Sequence, residues 1–406
     1  MAFNPLEEAG IPVEDQFRSW SELNVDPYDK WDVDPYTRTR VILMNGIEVE
    51  SIIFSHQFAR QTDDLELKQR LALTRRIDQQ QQKVVNGLNP GEQTPLETTI
   101  GYEQVAVDLT AWLARHEPDP QLKVALDFAL LEDFDHLYRY ANLYELLHGG
   151  KADALTQHLT EIMPGRPTFV EHRHPYDDVR PHFETHTVDP LSRMHVMTIV
   201  AGEQQTMNFY MNHASDWIEP IARGLYSEIA MIEEQHVTHY ESLLDPLDSW
   251  LANWVFHEYN EVYLYSSMME QETDRRIKAI WELHCNMELG QLQVACDSMR
   301  RLEGREPAEL LPPSIPDTPV TFEPNKEYVR QVLEATVDLR TDGTEYVPVD
   351  ELPGDHRYFA MQKLLNDGGT PSEMVIDQNR EAQGREYRDE IEGDHPIAEL
   401  QDTARS

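Results

Sequence analysis

A pattern of acidic residues and histidine occurs twice in this chain, and the second copy follows the first by one hundred residues. In each copy a glutamate precedes an acidic residue by 30 positions, and a histidine follows that acid three positions later. The copies are Glu103, Asp133 and His136, and Glu203, Glu233 and His236. Residues three apart share one face of a helix. The repeat therefore predicts two helical hairpins, each directing two carboxylates and one imidazole to the same region.

Turn-forming residues divide the remaining sequence into helical segments. Gly and Pro dipeptides separate four predicted helical hairpins, at 43–87, 99–148, 190–244 and 250–303. The stretch 150–190 is rich in His and Pro and lies between the second and third hairpins. Two hairpins of a four-helix bundle can be joined by a long crossover at this place.

These segments predict an all-α protein with three parts. An extended N-terminal arm, rich in Pro, Asp and aromatic residues, covers 1–42, and a helical body covers 43–303. Within the body, a bundle that carries the main repeat covers about 99–244, and the hairpins 43–87 and 250–303 flank it. An acidic, Pro-rich tail at 304–406 is expected to wrap around the body, with a short helix near 325–337 and limited order toward its end.

The flanking hairpins carry a fainter version of the same spacing. A glutamate again precedes an acid by 30 residues, but glutamine stands in place of histidine. The residues are Glu48, Asp78 and Gln81, and Glu258, Glu288 and Gln291. A fourfold repeat is one interpretation. Coincidence in an acidic, helical chain is the other, and the sequence leaves both open.

The main repeat brings four carboxylates and two imidazoles together in one predicted bundle. Oxygen and imidazole donors of this kind suit iron or manganese. Four buried carboxylates without a cation would repel one another and would be costly to bury. We therefore expect a site for two metal ions.

The order of these carboxylates and imidazoles along four helices resembles that of the ferritin-like superfamily of di-iron and di-manganese carboxylate proteins. The resemblance covers residues 99–244 and implies a four-helix bundle that holds two iron ions, or manganese in their place. It implies that Glu103 and Glu203 are terminal ligands and that Asp133 and Glu233 are bridging carboxylates. It also implies that His136 and His236 each cap one metal ion.

One position departs from the pattern of that family. Asp133 stands where glutamate is usual, and its side chain is one methylene shorter. The neighbouring Glu132 is four residues before His136 and is a candidate substitute ligand. We therefore expect the weaker of the two metal sites on the Asp133 side.

Tyrosines follow the two histidines by four residues, one helical turn along. Tyr140 and Tyr240 are candidate hydrogen-bond donors to the ligands or redox-active phenols, and packing in the core is the alternative. Tyr210 falls on the ligand face of its helix, where lining a substrate pocket and packing in the core are equally consistent with the sequence.

The resemblance implies an oxidoreductase that uses dioxygen or peroxide with a small-molecule substrate or an electron donor. Iron handling with ferroxidase activity is an alternative, although a chain of 406 residues with long arms is awkward for a storage cage. A third alternative is a non-enzymatic protein in which the metal is structural or absent. Arms at both ends are compatible with a homodimer.

The net charge limits the environments and the binding partners that we expect for this protein. The chain has 74 acidic and 34 basic residues, for a net charge of −40. Such repulsion is tolerable in concentrated salt, so we expect a cytoplasmic protein of a halophile with high internal salt. No basic stripe that would bind nucleic acid is present. Neither a membrane-length apolar run nor a signal peptide is visible.

Overall fold

Helices dominate the computed structural model of this protein, which describes residues 3–402. Eleven helices of nine or more residues occur within that range, and we label them α1–α11 in chain order. They are Pro35–Ala59, Leu65–Gly87, Pro95–His116, Pro120–His148, Pro190–His213, Pro220–Glu241, Trp250–Gln271, Arg275–Glu303, Lys326–Thr336, Arg357–Leu365 and Pro371–Gln383. The predicted all-α class is confirmed.

Shorter elements occupy the connections. Four-residue helices lie at Trp20–Leu23, Asp153–Thr156 and Thr168–Glu171. Strands β1 (Leu339–Asp342) and β2 (Glu345–Pro348) form an antiparallel hairpin in which Leu339 pairs with Pro348. No helix in the described range has the length and apolarity required to cross a bilayer.

The chain divides into two compact units that each draw on several parts of the sequence. Unit 1 contains the residues up to Glu92, then Phe183–Gly202 and Leu244–Thr321. Unit 2 contains Gln93–His182, Glu203–Leu243 and the residues from Phe322 onward. The predicted flanking hairpins therefore belong to a unit of their own, together with the N-terminal arm.

Unit 1 is built from the hairpins α1–α2 and α7–α8. Helix α1 packs on α7, and α2 packs on α8. The N-terminal arm crosses α8 at Gly290, where an added Cβ would lie 1.9 Å from the carbonyl oxygen of Ile11. Nearby, the Gln16 amide donates to the carbonyl of Met287 at 2.8 Å. Only glycine at position 290 lets the arm approach the helix so closely.

The arm ends earlier than the predicted boundary at residue 42. Helix α1 begins at Pro35, where the Asp34 carboxylate accepts a hydrogen bond from the backbone N–H of Tyr36. An aspartate N-cap followed by proline in the first turn is a strong helix start. The aromatic and Asp-Pro composition of the arm obscured this signal.

Unit 2 contains the hairpin α3–α4, the second part of α5, and α6, together with the C-terminal elements. Helix α11 packs against both α4 and α6. Its Asn379 amide donates to Asn142 and Glu145, both at 2.9 Å. Buried Val375 and Ile376 anchor the same helix.

The predicted tail contains more regular structure than the one short helix that the sequence predicts. Only the predicted short helix near 325–337 was anticipated, and it is present as α9. The β-hairpin and two further helices follow it, of which α10 buries Tyr358 and α11 buries Val375 and Ile376. Residues 1–2 of the predicted arm and 403–406 of the predicted tail lie outside the described range.

Candidate metal centre

Four helices of unit 2 carry the six residues of the main repeat. Helix α3 begins with a capping box. The backbone N–H of Thr94 donates to the Glu97 carboxylate at 2.7 Å, and the backbone N–H of Glu97 donates to the Thr94 hydroxyl at 3.2 Å. Helix α4 begins at the N-cap Asp119, which accepts from the N–H groups of Gln121 and Leu122. These caps define where the helices start. The four helices supply Glu103 from α3, Asp133 and His136 from α4, Glu203 from α5, and Glu233 and His236 from α6.

The side chains of all six residues converge into two overlapping groups. In each group the potential ligand atoms lie within 4.8 Å of one another. The groups are Glu103, Asp133, His136 and Glu233, and Asp133, Glu203, Glu233 and His236. Asp133 and Glu233 belong to both groups, which is the arrangement that bridging carboxylates require. None of the six is more than 2 % exposed.

The two imidazoles have the same orientation. His136 Nε2 lies 3.0 Å from Glu171, and His236 Nε2 lies 2.8 Å from Glu132. The Nδ1 atoms face the carboxylates instead: His136 Nδ1 is 3.2 Å from Glu233 Oε1 without forming a hydrogen bond. An imidazole that binds a metal usually donates its other N–H to a carboxylate or carbonyl oxygen. Both histidines match that arrangement, with the lone pair of Nδ1 left to bind a metal.

Glu132 lies outside the cluster that it was predicted to join. Its Oε1 accepts from Arg166 at 3.0 Å and from Arg173 at 2.9 Å, and its Oε2 faces His236. Burial raises the pKa of Glu132, but Arg173 and His236 together outweigh burial and bring the pKa below its ordinary value. The carboxylate therefore stays ionised. Both oxygens are thus engaged by other groups. The predicted substitute ligand orients a histidine, and Asp133 itself occupies the shared position.

Many polar atoms that face the cluster have no hydrogen-bond partner among residues 3–402. Leaving a buried polar atom unsatisfied costs roughly 1–3 kcal/mol, and more for a charged group. The unpartnered atoms are Glu103 Oε2, Asp133 Oδ1 and Oδ2, His136 Nδ1, Glu203 Oε1, Glu233 Oε1 and Oε2, and His236 Nδ1. A pair of cations would satisfy this whole set, and carboxylate oxygen with imidazole nitrogen suits iron or manganese. The residues present therefore fit a dimetal site.

The carboxyl groups of the cluster differ in their affinity for protons. Burial raises the pKa of Glu103 and of Asp133 well above the usual range, and that of Glu203 to about 7. Burial also acts on Glu233, but the His136 and His236 imidazoles bring its pKa down to about 2. Four ionised carboxylates are therefore not stable here on their own. Burial lowers the pKa of His136 and of His236, but the neighbouring carboxylates raise both well above the ordinary value. Protons therefore balance the charge when no metal is bound, and metal ions would replace them.

Three tyrosines surround the cluster, and each is fully buried. The Tyr210 hydroxyl donates a short hydrogen bond to Glu103 Oε1. The hydroxyls of Tyr140 and Tyr240 have no partner among residues 3–402. Burial is the main reason why the pKa of Tyr140 and of Tyr240 is raised well above the usual value. Glu203 adds to the rise at Tyr240, and Tyr226 and then Glu103 add to it at Tyr140. All three phenols are thus close to the ligands, and Tyr210 alone is bonded to one.

Sequence reasoning missed the crossover residues that support the cluster. Glu171 contacts His136, and Arg166 and Arg173 neutralise Glu132. They come from 150–190, where the density of Glu, His and Arg within an irregular stretch was the available signal. That signal has no helical period, so it did not indicate which side chains point inward.

A largely apolar cavity of about 530 Å³ lies beside the cluster within unit 2. Met211, Met231 and Met361 line it, and Arg173 and Gln235 form part of its polar wall. Arg173 donates to Glu132, which in turn faces His236. A single residue, Glu132, therefore separates Arg173 in the cavity wall from His236 in the cluster.

Comparisons of the chain with family models, with curated protein sequences and with solved structures gave no match. What the site does must therefore be argued from its own geometry and donor atoms.

Proposed function

We propose that unit 2 is a ferritin-like four-helix bundle that binds two ions of iron, or manganese in their place. The observation that carries the proposal is the set of unpartnered buried ligand atoms around two shared carboxylates. The orientation of both imidazoles supports it, because each presents Nδ1 to the cluster. The ligands would be Glu103, Asp133, His136, Glu203, Glu233 and His236, of which Asp133 and Glu233 belong to both groups.

We further propose that the protein is an oxidoreductase that uses dioxygen or peroxide. Bound iron pairs supply electrons for reactions of these oxidants. The chain contributes a dry site, in which Glu171 and Glu132 keep a proton on the Nε2 atoms of His136 and His236. Arg173 keeps Glu132 ionised, and the Tyr210 hydroxyl holds Glu103 in place.

The cavity beside the cluster favours an enzyme over an iron store. Its volume and its methionine-rich wall suit a small, largely apolar substrate. Met211 and Met231 come from the helices α5 and α6, which also carry Glu203, Glu233 and His236. A substrate in the cavity would therefore lie beside two of the four ligand-bearing helices.

Metal analysis of full-length protein tests the dimetal site. We expect about two iron or manganese ions per chain in the wild type. The Glu233→Gln variant should hold less than about one, because it loses the carboxylate common to both groups. Glu234→Gln is the matched control, since Glu234 is the next residue and is exposed. Wild-type protein without bound metal, or a Glu233→Gln variant with unchanged content, would refute the site.

Consumption of oxidant separates an enzyme from a protein that uses metal only structurally. Reduced wild-type protein should consume dioxygen or peroxide, and Glu233→Gln should not. Small apolar compounds that fill the cavity should accelerate consumption or become oxidised. If metal-loaded protein consumes neither oxidant, the metal has a structural role. If it consumes dioxygen only while accumulating ferric iron, the protein handles iron.

A further inference from the structure

Unit 1 contains a second cluster of buried carboxylates, separate from the centre in unit 2. Five acidic side chains meet among α1, α2, α7 and α8, and none is more than 3 % exposed. They are Glu48, Asp78, Glu258, Glu261 and Glu288. Oxygen atoms of Glu48, Glu261 and Glu288 lie within 4.8 Å of one another. That spacing suits one cation, since two oxygens bound to the same Ca²⁺ are at most about 5 Å apart.

Four of the five acids, all but Glu261, belong to the faint repeat of the flanking hairpins. Glu48 precedes Glu103 by 55 residues, and Glu258 follows Glu203 by the same interval. The structure brings the acids of this repeat together, as it does those of the main repeat. Similar placement in two bundles favours a true fourfold repeat over coincidence.

Two glutamines stand where the centre of unit 2 has histidines. Gln81 donates from Nε2 to Glu48 at 3.3 Å and, in a shorter bond, to Glu288. Gln291 donates from Nε2 to Gln81 Oε1 at 3.0 Å and to Glu288 Oε2 at 3.3 Å. The amide N–H groups are thus used to hold the carboxylates. The glutamines can therefore offer a bound cation only a side-chain carbonyl oxygen.

Several buried oxygens of this cluster have no hydrogen-bond donor in the described part of the chain. They are Glu48 Oε2, both carboxylate oxygens of Glu261, and Gln291 Oε1. Burial, Glu288 and Asp78 raise the pKa of Glu261, and the nearby Ser51 hydroxyl only partly offsets that rise. Acceptors without donors are the arrangement that a bound cation resolves.

No side-chain cation within residues 3–402 forms an ion pair with any of the five acids. Arg75 is near enough to lower the pKa of Asp78, but burial has the larger effect and raises it to about 7. Burial lowers the pKa of His284 to about 3, so this neighbouring imidazole is neutral. The positive charge needed here must come from protons or from a bound ion.

We propose that unit 1 binds one divalent cation of the hard, oxygen-preferring class, Ca²⁺ or Mg²⁺. Glu48, Glu261 and Glu288 would supply carboxylate oxygens, and Gln291 a carbonyl oxygen. The donor set contains no imidazole, unlike that of unit 2, and hard cations prefer oxygen alone. Unit 1 would thus hold a cation that stabilises its four helices, independently of the metal chemistry in unit 2.

Calorimetric titration of full-length protein tests this site. The protein is taken as purified, freed of Ca²⁺ and Mg²⁺, and titrated with each ion in molar KCl to suppress non-specific binding. We expect one saturable site per chain for at least one of the two ions. Glu261→Gln should weaken it by roughly tenfold or more, because a charged ligand is lost. Glu270→Gln on the same helix is exposed and should bind like the wild type.

Iron content separates this proposal from the one for unit 2. Glu261→Gln should keep the iron of the wild type, which also shows that the variant folds, and Glu288→Gln serves as a second variant. Glu233→Gln should lose iron and still bind Ca²⁺ or Mg²⁺. The proposal is overturned if neither ion binds to the wild type at millimolar concentration. It is also overturned if folded Glu261→Gln binds as tightly as Glu270→Gln does, which would mean that the acids share protons instead.

Discussion

At the scale of single residues, the candidate metal centre depends on what lies behind the ligands. Glu171 and Glu132 orient two imidazoles, and two arginines hold Glu132 in turn. Partners of this kind usually change metal affinity by roughly 10–100-fold when they are removed. The residues that face the cluster and those that support it are thus both needed for tight binding.

Tyr210 allows this dependence to be measured with a closely matched control. Tyr210→Phe removes the hydroxyl that donates to Glu103, so metal affinity should fall by roughly tenfold or more. Tyr240→Phe makes the same chemical change at another fully buried tyrosine, whose hydroxyl has no partner. Competition of each variant with a chelator gives the affinities. Equal affinities for the two variants would show that the hydrogen bond to Glu103 is unimportant.

At the scale of elements, helix starts position the ligands. Helix α4 carries both Asp133 and His136, and its first turn depends on the Asp119 cap. The sequence predicted this hairpin at 99–148, and the two helices run over Pro95–His116 and Pro120–His148. Caps and proline in the first turn are local signals, so these boundaries could be predicted closely.

Substitutions at Asp119 test the contribution of that cap. Asp119→Ala should lower the free energy of unfolding by about 1 kcal/mol, because two backbone N–H groups lose their acceptor. Asp119→Asn keeps an acceptor of similar capping strength and should stay close to the wild type. Chemical denaturation of the three proteins gives the comparison. An alanine variant as stable as the asparagine variant would contradict the assigned cap.

At the scale of the whole molecule, both units bury acidic groups that a metal-free protein must protonate. Burial raises the pKa of Glu203 in unit 2 to about 7, and that of Glu261 in unit 1 well above the ordinary value of 4.5. In unit 2 the proposed metals, and in unit 1 the proposed cation, would replace those protons. The expected tolerance of molar salt, drawn from the net charge of −40, stays a prediction.

Metal-free protein should therefore lose stability as pH rises from about 4.5 to about 7. Below that range both folded and unfolded chains hold the protons, whereas within it only the folded chain keeps them. Each pKa unit corresponds to about 1.4 kcal/mol, so the loss should reach a few kcal/mol. Denaturation in molar KCl, which screens the general repulsion, measures it. Glu203→Gln should reduce the pH dependence, and a flat profile in metal-free wild type would contradict the raised pKa values.

The sequence by itself determined the helical class, the pairing of helices into hairpins and the six candidate ligands. These follow from spacings of three and 30 residues and from caps, which depend on near neighbours in the chain. Only the tertiary structure decided that the flanking hairpins belong to a separate unit with its own acidic cluster. It also decided that Glu132 faces His236 and two arginines, while Asp133 joins the cluster. Such choices depend on contacts between residues distant in sequence, and no local spacing encodes them.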